Sequence, residues 1–247
     1  MGRITETVKV LLIVNVLFFV GKLTAPEISD KLFSLYYFEN PNFKFWQPLT
    51  HMFMHGDFMH ILFNMFGLYM FGSPLEARWG RNKFLFLYFS AGFGAALIHT
   101  AVNYYHIQVG TQELIALGMT KLEVSQLLND TLQPGSYRNI PELSNAVNFF
   151  HSFNVPAVGA SGAIYGVLVA FGMLFPNVSL MLLFFPVPIK AKYFIPALIA
   201  IDLFSGTTGY SLFGQGIAHW AHIGGALFGF IITYYWKKNS FNANRWN

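Results

Sequence analysis

The stretch Gly159-Ala160-Ser161-Gly162-Ala163-Ile164-Tyr165-Gly166 opens an apolar run that ends at Phe175. Asn154, Pro156 and Gly159 mark a loop just before it, so the pattern predicts a helix with Ser161 in its first turn. Backbone N–H groups in a first turn have no intrahelical acceptor, and the helix dipole is positive there. A negative charge developing beside Ser161 would therefore be stabilised. Gly162, Gly166 and Ala170 recur every four residues and clear one face for close approach of another helix. On its own the stretch reads first as a packing seam that contains a serine.

Composition sets the solvent. Of 247 residues, 54% are hydrophobic, 18% aromatic and only 11% charged, which is too apolar for an ordinary soluble domain. The apolar runs are continuous and do not alternate, so they read as membrane helices and not as strands of a barrel. The net charge of +4 suits basic loops on one side of a bilayer. No Lys/Arg cluster is dense enough to track nucleic-acid phosphates. Without cysteine, disulfides and thiolate chemistry are excluded.

Six spans are expected, at about 10–20, 57–71, 84–102, 161–175, 193–204 and 219–236. Residues 24–47 are aromatic-rich and read as an interfacial connection. The second span is expected to end at Gly72-Ser73-Pro74. Residues 103–154 form a polar helical insertion, with a capping box at Thr120-x-x-Glu123, a break at Pro134-Gly135 and an amphipathic helix over 141–153. Residues 178–192, with Pro186 and Pro188, read as an interfacial loop, and 205–216 as a flexible loop and candidate lid. With the N-terminus inside, ten Lys and Arg (3, 9, 78, 81, 83, 190, 192, 237, 238, 245) face in and five (22, 31, 44, 121, 138) face out. Both termini are therefore expected on the cytoplasmic side.

Polar residues inside these spans carry the functional signal. The sixth span contains Ala221, Gly225 and Gly229, a small-residue ridge like that of the fourth, with His222 one residue from it. Histidine is the usual partner of a serine nucleophile. In the second span, His60 and Asn64 lie four apart on one face and can direct two donors at one oxygen.

Together these residues resemble the rhomboid family of intramembrane serine proteases. The resemblance rests on Gly159-Ala160-Ser161-Gly162 with Tyr165, His55-x4-His60-Ile61-Leu62-Phe63-Asn64, Ala221-His222-x2-Gly225-x3-Gly229 and Glu76-x-Arg78-x-Gly80. It implies an all-α, polytopic, six-span membrane domain over 1–247 with an insertion at about 103–154. It implies Ser161 as nucleophile and His222 as base and acid. His60, Asn64 and the Ser161 N–H would hold the oxyanion, with Gly159 on the same substrate-binding side, and Tyr165 would pack on the His222 ring. It further implies transmembrane protein substrates within the lipid bilayer, no cofactor or metal, no nucleic acid, and a bacterial-type core in the inner (plasma) membrane. Two features depart from the family. Trp46-Gln47 stands where Trp-Arg is common, and the insertion exceeds the minimal core.

The residues predict a Ser–His dyad, with Asp202 in the fifth span read as a structural group that caps or pairs. Three rivals remain. His51-x3-His55 has metal-ligand spacing but lacks the glutamate of a zinc protease helix. A non-catalytic rhomboid-like protein that binds membrane clients would lose Ser161 or His222. A transporter would show an inverted repeat or an acidic relay.

Overall fold

The computed structural model describes residues 3–129, 146–182, 185–211 and 216–243. Among them the chain is mostly helical, with three helices long and apolar enough to cross a membrane: Glu6–Thr24, Phe58–Trp79 and Arg81–Ala116. The first is α1. After the short α2 (Pro26–Phe33) and the single turn α3 (Gln47–Thr50), the second comprises α4 (Phe58–Gly67), a π-helical turn at Leu68–Gly72 and α5 (Ser73–Trp79). The expected stop at Gly72-Ser73-Pro74 is thus a continuation. Pro74 lies in the first turn of α5, and the wider π turn before it absorbs the missing backbone donor. The break comes at Gly80, whose φ of 78° suits glycine.

Glu76 fastens this helix to the start of α1. Its carboxylate accepts from the Thr7 and Val8 N–H groups, each at 3.0 Å, and from the Thr5 hydroxyl at 2.5 Å. Negative charge at a helix N-terminus satisfies orphan donors and complements the dipole.

The third helix, α6 (Arg81–Ala116), runs 36 residues and passes the expected boundary at Val102 without interruption. The polar composition beyond 103 is overridden by packing. Ile107 and Leu114 on α6 form a second small core with Tyr37, with Val124 and Leu128 of α7 (Lys121–Asn129), and with Phe149, Phe150 and Phe153 of α8 (Ala146–Asn154). The Thr120/Glu123 capping box forms: the Thr120 N–H donates to Glu123 Oε2 at 2.7 Å, and the Glu123 N–H to Thr120 Oγ1 at 3.3 Å. Pro134-Gly135 and residues 141–145 lie outside the described residues.

The main core centres on α9 (Ser161–Leu174), which packs against α6 and against α11 (His219–Ala243). Ala163, Val167 and Ala170 are almost fully enclosed there. Between α9 and α10 (Ala191–Thr208) the chain makes an antiparallel hairpin, β1 (Ser179–Leu182) with β2 (Phe185–Lys190), paired Ser179 to Lys190 and Leu180 to Ile189. The domain is thus mostly helical with one short hairpin, and 178–192 is not a plain loop. A two-stranded hairpin has only edge strands, where proline is tolerated. Residues 205–208 are likewise the last turn of α10, closed at Gly209 with φ 74°. Residues 212–215 of the expected lid lie outside the described residues.

Gln47, which stands where the resembled family commonly has arginine, is fully enclosed and ties the first connection together. Its amide donates to the Lys31 and Asn42 carbonyls at 3.0 and 2.9 Å and accepts from the Tyr36 N–H at 3.3 Å. A neutral amide satisfies all three groups without placing a charge in a buried site. Backbone bonds between Leu35 and Ala157 join this connection to the segment leading into Ser161.

Candidate active site

Ser161 is the first residue of α9, as the sequence predicts. Opposite it, His222 lies in the first turn of α11. The His222 Nε2 is 2.8 Å from Ser161 Oγ.

That approach depends on the two glycine ridges. A methyl placed on Gly225 would sit 1.8 Å from the Gly162 carbonyl oxygen, and one on Gly229 would sit 2.4 Å from Gly166 Cα. Backbones meet with nothing between them. Behind α9, Ala91 and Ala95 of α6 close on Gly166 and Gly162, where added methyls would lie 2.3 and 2.4 Å away. A serine is short, so only such contact brings its oxygen within hydrogen-bond reach of a histidine on the neighbouring helix.

Tyr165, one turn on from Ser161, stacks on the His222 ring at 4.2 Å between centroids and 12° between planes. Its hydroxyl donates to Asp202 Oδ2.

Asp202 adds a carboxylate to the Ser161–His222 pair. Its Oδ1 is 3.1 Å from His222 Nδ1, on the side of the ring away from Ser161, and 2.5 Å from His219 Nδ1. α10 turns its single carboxylate into the seam, so the Ser161 hydroxyl, the His222 imidazole and the Asp202 carboxylate stand in series. The carboxylate does pair, with the His222 imidazole. The signal missed in the sequence is the three-residue spacing of His219 and His222, which puts two imidazoles on one face facing that carboxylate.

The opposite wall comes from α4 and the turn before α9. The Asp57 side chain caps α4 by accepting from the His60 N–H at 2.9 Å. His60 Nδ1 accepts from the Gly56 N–H at 3.3 Å, which places the ring proton on Nε2. That nitrogen points at the Ser161 turn. A side chain on Gly159 would lie 2.7 Å from His60 Nε2 and 3.6 Å from Ser161 Oγ, and its φ of 121° independently favours glycine. Gly159 is held by its N–H to the His51 carbonyl at 2.9 Å. Asn64, buried one turn after His60, donates one amide hydrogen to the His60 carbonyl at 3.0 Å. Thus His60, Gly159 and Ser161 converge, with Asn64 directly behind.

A small cavity lined by His51, His99, Gly159, Ser161 and Ala218 reaches the serine from the α6 side. His51 and His55 do not join a ligand cluster among the described residues. Each spends Nδ1 on a nearby backbone carbonyl, that of Gln47 at 3.0 Å and that of Phe53 at 3.3 Å. Burial pushes them down to about 4 and about 3, so both are neutral.

A family model described as a rhomboid domain matches residues 42–127 and 140–239. The chain is similar to Rhomboid protein 1, mitochondrial, of Saccharomyces cerevisiae, with 26% identity over 186 residues covering 75% of this chain and 40% of that protein. It is similar to Rhomboid protease AarA of Providencia stuartii, with 27% identity over 201 residues, 76% of this chain and 54% of that protein. Against Presenilin-associated rhomboid-like protein A, mitochondrial, of Danio rerio, identity is 29% over 178 residues, 72% of this chain and 34% of that protein. The matches span about a third to a half of these relatives' lengths.

Proposed function

The chain belongs to the rhomboid family, and on that premise we propose that it is an intramembrane serine endopeptidase cleaving transmembrane protein substrates. The single observation that carries this reading is the 2.8 Å approach of His222 Nε2 to Ser161 Oγ at a helix N-terminus. In this reading Ser161 Oγ attacks the scissile carbonyl carbon while His222 Nε2 takes its proton. Asp202 Oδ1 accepts from His222 Nδ1–H, keeps the accepting lone pair on Nε2 and stabilises the imidazolium. Tyr165 holds both the ring plane and the carboxylate. The oxyanion is met by the Ser161 N–H and by His60 Nε2–H, with the second amide hydrogen of Asn64 as a further donor. The proton on His222 then passes to the leaving amine, and water hydrolyses the acyl-enzyme by the reverse route.

The protein is a multi-pass membrane protein. For its topology the reading takes α1, α4–α5, α6, α9, α10 and α11 as six spans of one domain, 1–247, carrying the 103–154 insertion, with both termini cytoplasmic. Ten basic residues inside against five outside support that orientation. The proposed setting is a bacterial inner membrane.

A client-binding protein without catalysis has no need of a nucleophile, base and carboxylate in series. The test is labelling by a fluorophosphonate probe together with cleavage of a model transmembrane substrate. Wild-type protein should do both and Ser161→Ala neither. Cleavage undiminished in Ser161→Ala, or no labelling of the folded wild type, would overturn the assignment.

A further inference from the structure

Three metal-ligating side chains meet behind the base. One ring nitrogen each of His219 and His222 and an Asp202 carboxylate oxygen all lie within 4.8 Å of one another, and both Nδ1 atoms face Asp202 Oδ1, at 2.5 and 3.1 Å. Two come from the first turn of α11 and one from α10, so the helix pair itself sets the spacing. Each side chain has its other polar atom held from outside. His219 Nε2 contacts Ser211 Oγ at 3.2 Å, Asp202 Oδ2 accepts from the Tyr165 hydroxyl, and His222 Nε2 meets Ser161 Oγ at 2.8 Å. Outer partners of this kind aim ligands inward and fix which imidazole nitrogen is available.

We propose that Asp202, His219 and His222 form a binding site for a zinc-type divalent cation, and that the bound cation switches the protease off. Two imidazole nitrogens and one carboxylate oxygen suit zinc and its borderline neighbours, whereas magnesium and calcium prefer all-oxygen sets. The inhibitory half rests on the protease reading above; the binding half does not.

The inhibition follows from proton positions. In the catalytic arrangement His222 carries its hydrogen on Nδ1, directed at Asp202, and offers a lone pair on Nε2 to the serine. A cation on Nδ1 needs the lone pair of that nitrogen, so the single ring hydrogen of the neutral imidazole must leave Nδ1 and sit on Nε2. No proton is gained or lost overall; it changes nitrogen. Nε2 is then a donor and cannot accept from Ser161. His219 undergoes the same shift without conflict, because its Nε2–H faces the Ser211 oxygen. The cation also neutralises Asp202, which would otherwise stabilise the imidazolium. The His219 and His222 side chains are 10% and 12% exposed, so small solutes reach them.

The experiment uses full-length protein in detergent, stripped with a chelator. Cobalt(II) replaces zinc as an optical probe, and cleavage of a model transmembrane substrate is followed against buffered free zinc. Tetrahedral cobalt bands should appear in wild type, be displaced by zinc, and weaken in His219→Gln. Zinc should stop cleavage where magnesium and calcium do not. Losing a ligand should raise the half-inhibitory zinc level by more than about tenfold in His219→Gln, each variant normalised to its own metal-free rate. Wild type without zinc-displaceable cobalt bands overturns the site, and equal zinc sensitivity in the variant overturns the switch. So does a protease that needs zinc for activity. Bands in a protein that cleaves nothing even in chelator would sink the protease reading and leave the cation site standing.

Discussion

Asp202 Oδ1 lies 3.1 Å from His222 Nδ1, while the opposite nitrogen of the same ring lies 2.8 Å from Ser161 Oγ. One imidazole therefore bridges a hydroxyl and a carboxylate carried on different helices. The carboxylate selects the tautomer, and the glycine seam sets the distance.

The expected result for Asp202→Asn is a folded protein whose cleavage rate falls by roughly a hundredfold or more. The Asn amide would donate to Nδ1 and drive the ring proton to Nε2, the wrong side for a base. Cleavage rate and thermal stability measured together separate this from misfolding. Near wild-type turnover would return Asp202 to a structural role.

His60→Ala removes the proposed oxyanion donor and leaves the Ser161–His222 contact in place. Loss of one such donor costs about 2.7–4 kcal/mol, or a hundredfold or more in turnover. Probe labelling should persist at reduced rate. Unchanged turnover would assign His60 to packing.

Gly225→Val should inactivate the protein. Even the first carbon of the new side chain would lie only 1.8 Å from the Gly162 carbonyl oxygen, so α9 and α11 must part. A displacement of about 1 Å already costs on the order of a hundredfold. The check is cleavage alongside melting temperature in detergent; a stable, fully active variant would mean that this contact does not set the catalytic distance.

Gln47→Ala leaves the Lys31 and Asn42 carbonyls and the Tyr36 N–H without their partner. Each buried group left unsatisfied costs about 1–3 kcal/mol. The melting temperature should drop by several degrees, while the rate at low temperature changes little, because Gln47 touches no reacting atom. A melting curve superimposable on wild type would contradict this.

His51 supplies a pH dependence. Burial holds it near 4 against an ordinary 6.5, so the unfolded chain binds more protons than the folded one between those values. Stability is then full above about 6.5 and lost as pH falls toward about 4. Melting temperatures across that range should decline in wild type and decline less in His51→Gln. Identical slopes would place the acid sensitivity elsewhere.

Features encoded locally were legible in the sequence. The start of α9 at Ser161, the four-residue glycine spacings and the Thr120/Glu123 cap all depend on neighbours within a turn or two. What depended on another element was not. Which way Asp202 faces is decided by how α10 lies on α11, which no periodicity in α10 reports. Residues 103–116 read as polar insertion, yet Ile107 and Leu114 meet the α8 phenylalanines and keep the helix going. The prolines at 186 and 188 argued for a loop because the edge position that tolerates them exists only once β1 is paired alongside.

The length of α6 has a mechanical consequence. At about 1.5 Å per residue, its 36 residues make a rod of about 54 Å, well beyond the roughly 30 Å of a bilayer interior. Ala91 and Ala95 on this rod brace the seam behind Ser161, and Ile107 and Leu114 farther along anchor the small second core. No proline interrupts it. One unbroken helix thus joins the seam beside Ser161 to the small second core, so the two cannot shift along α6 independently of its rigid length.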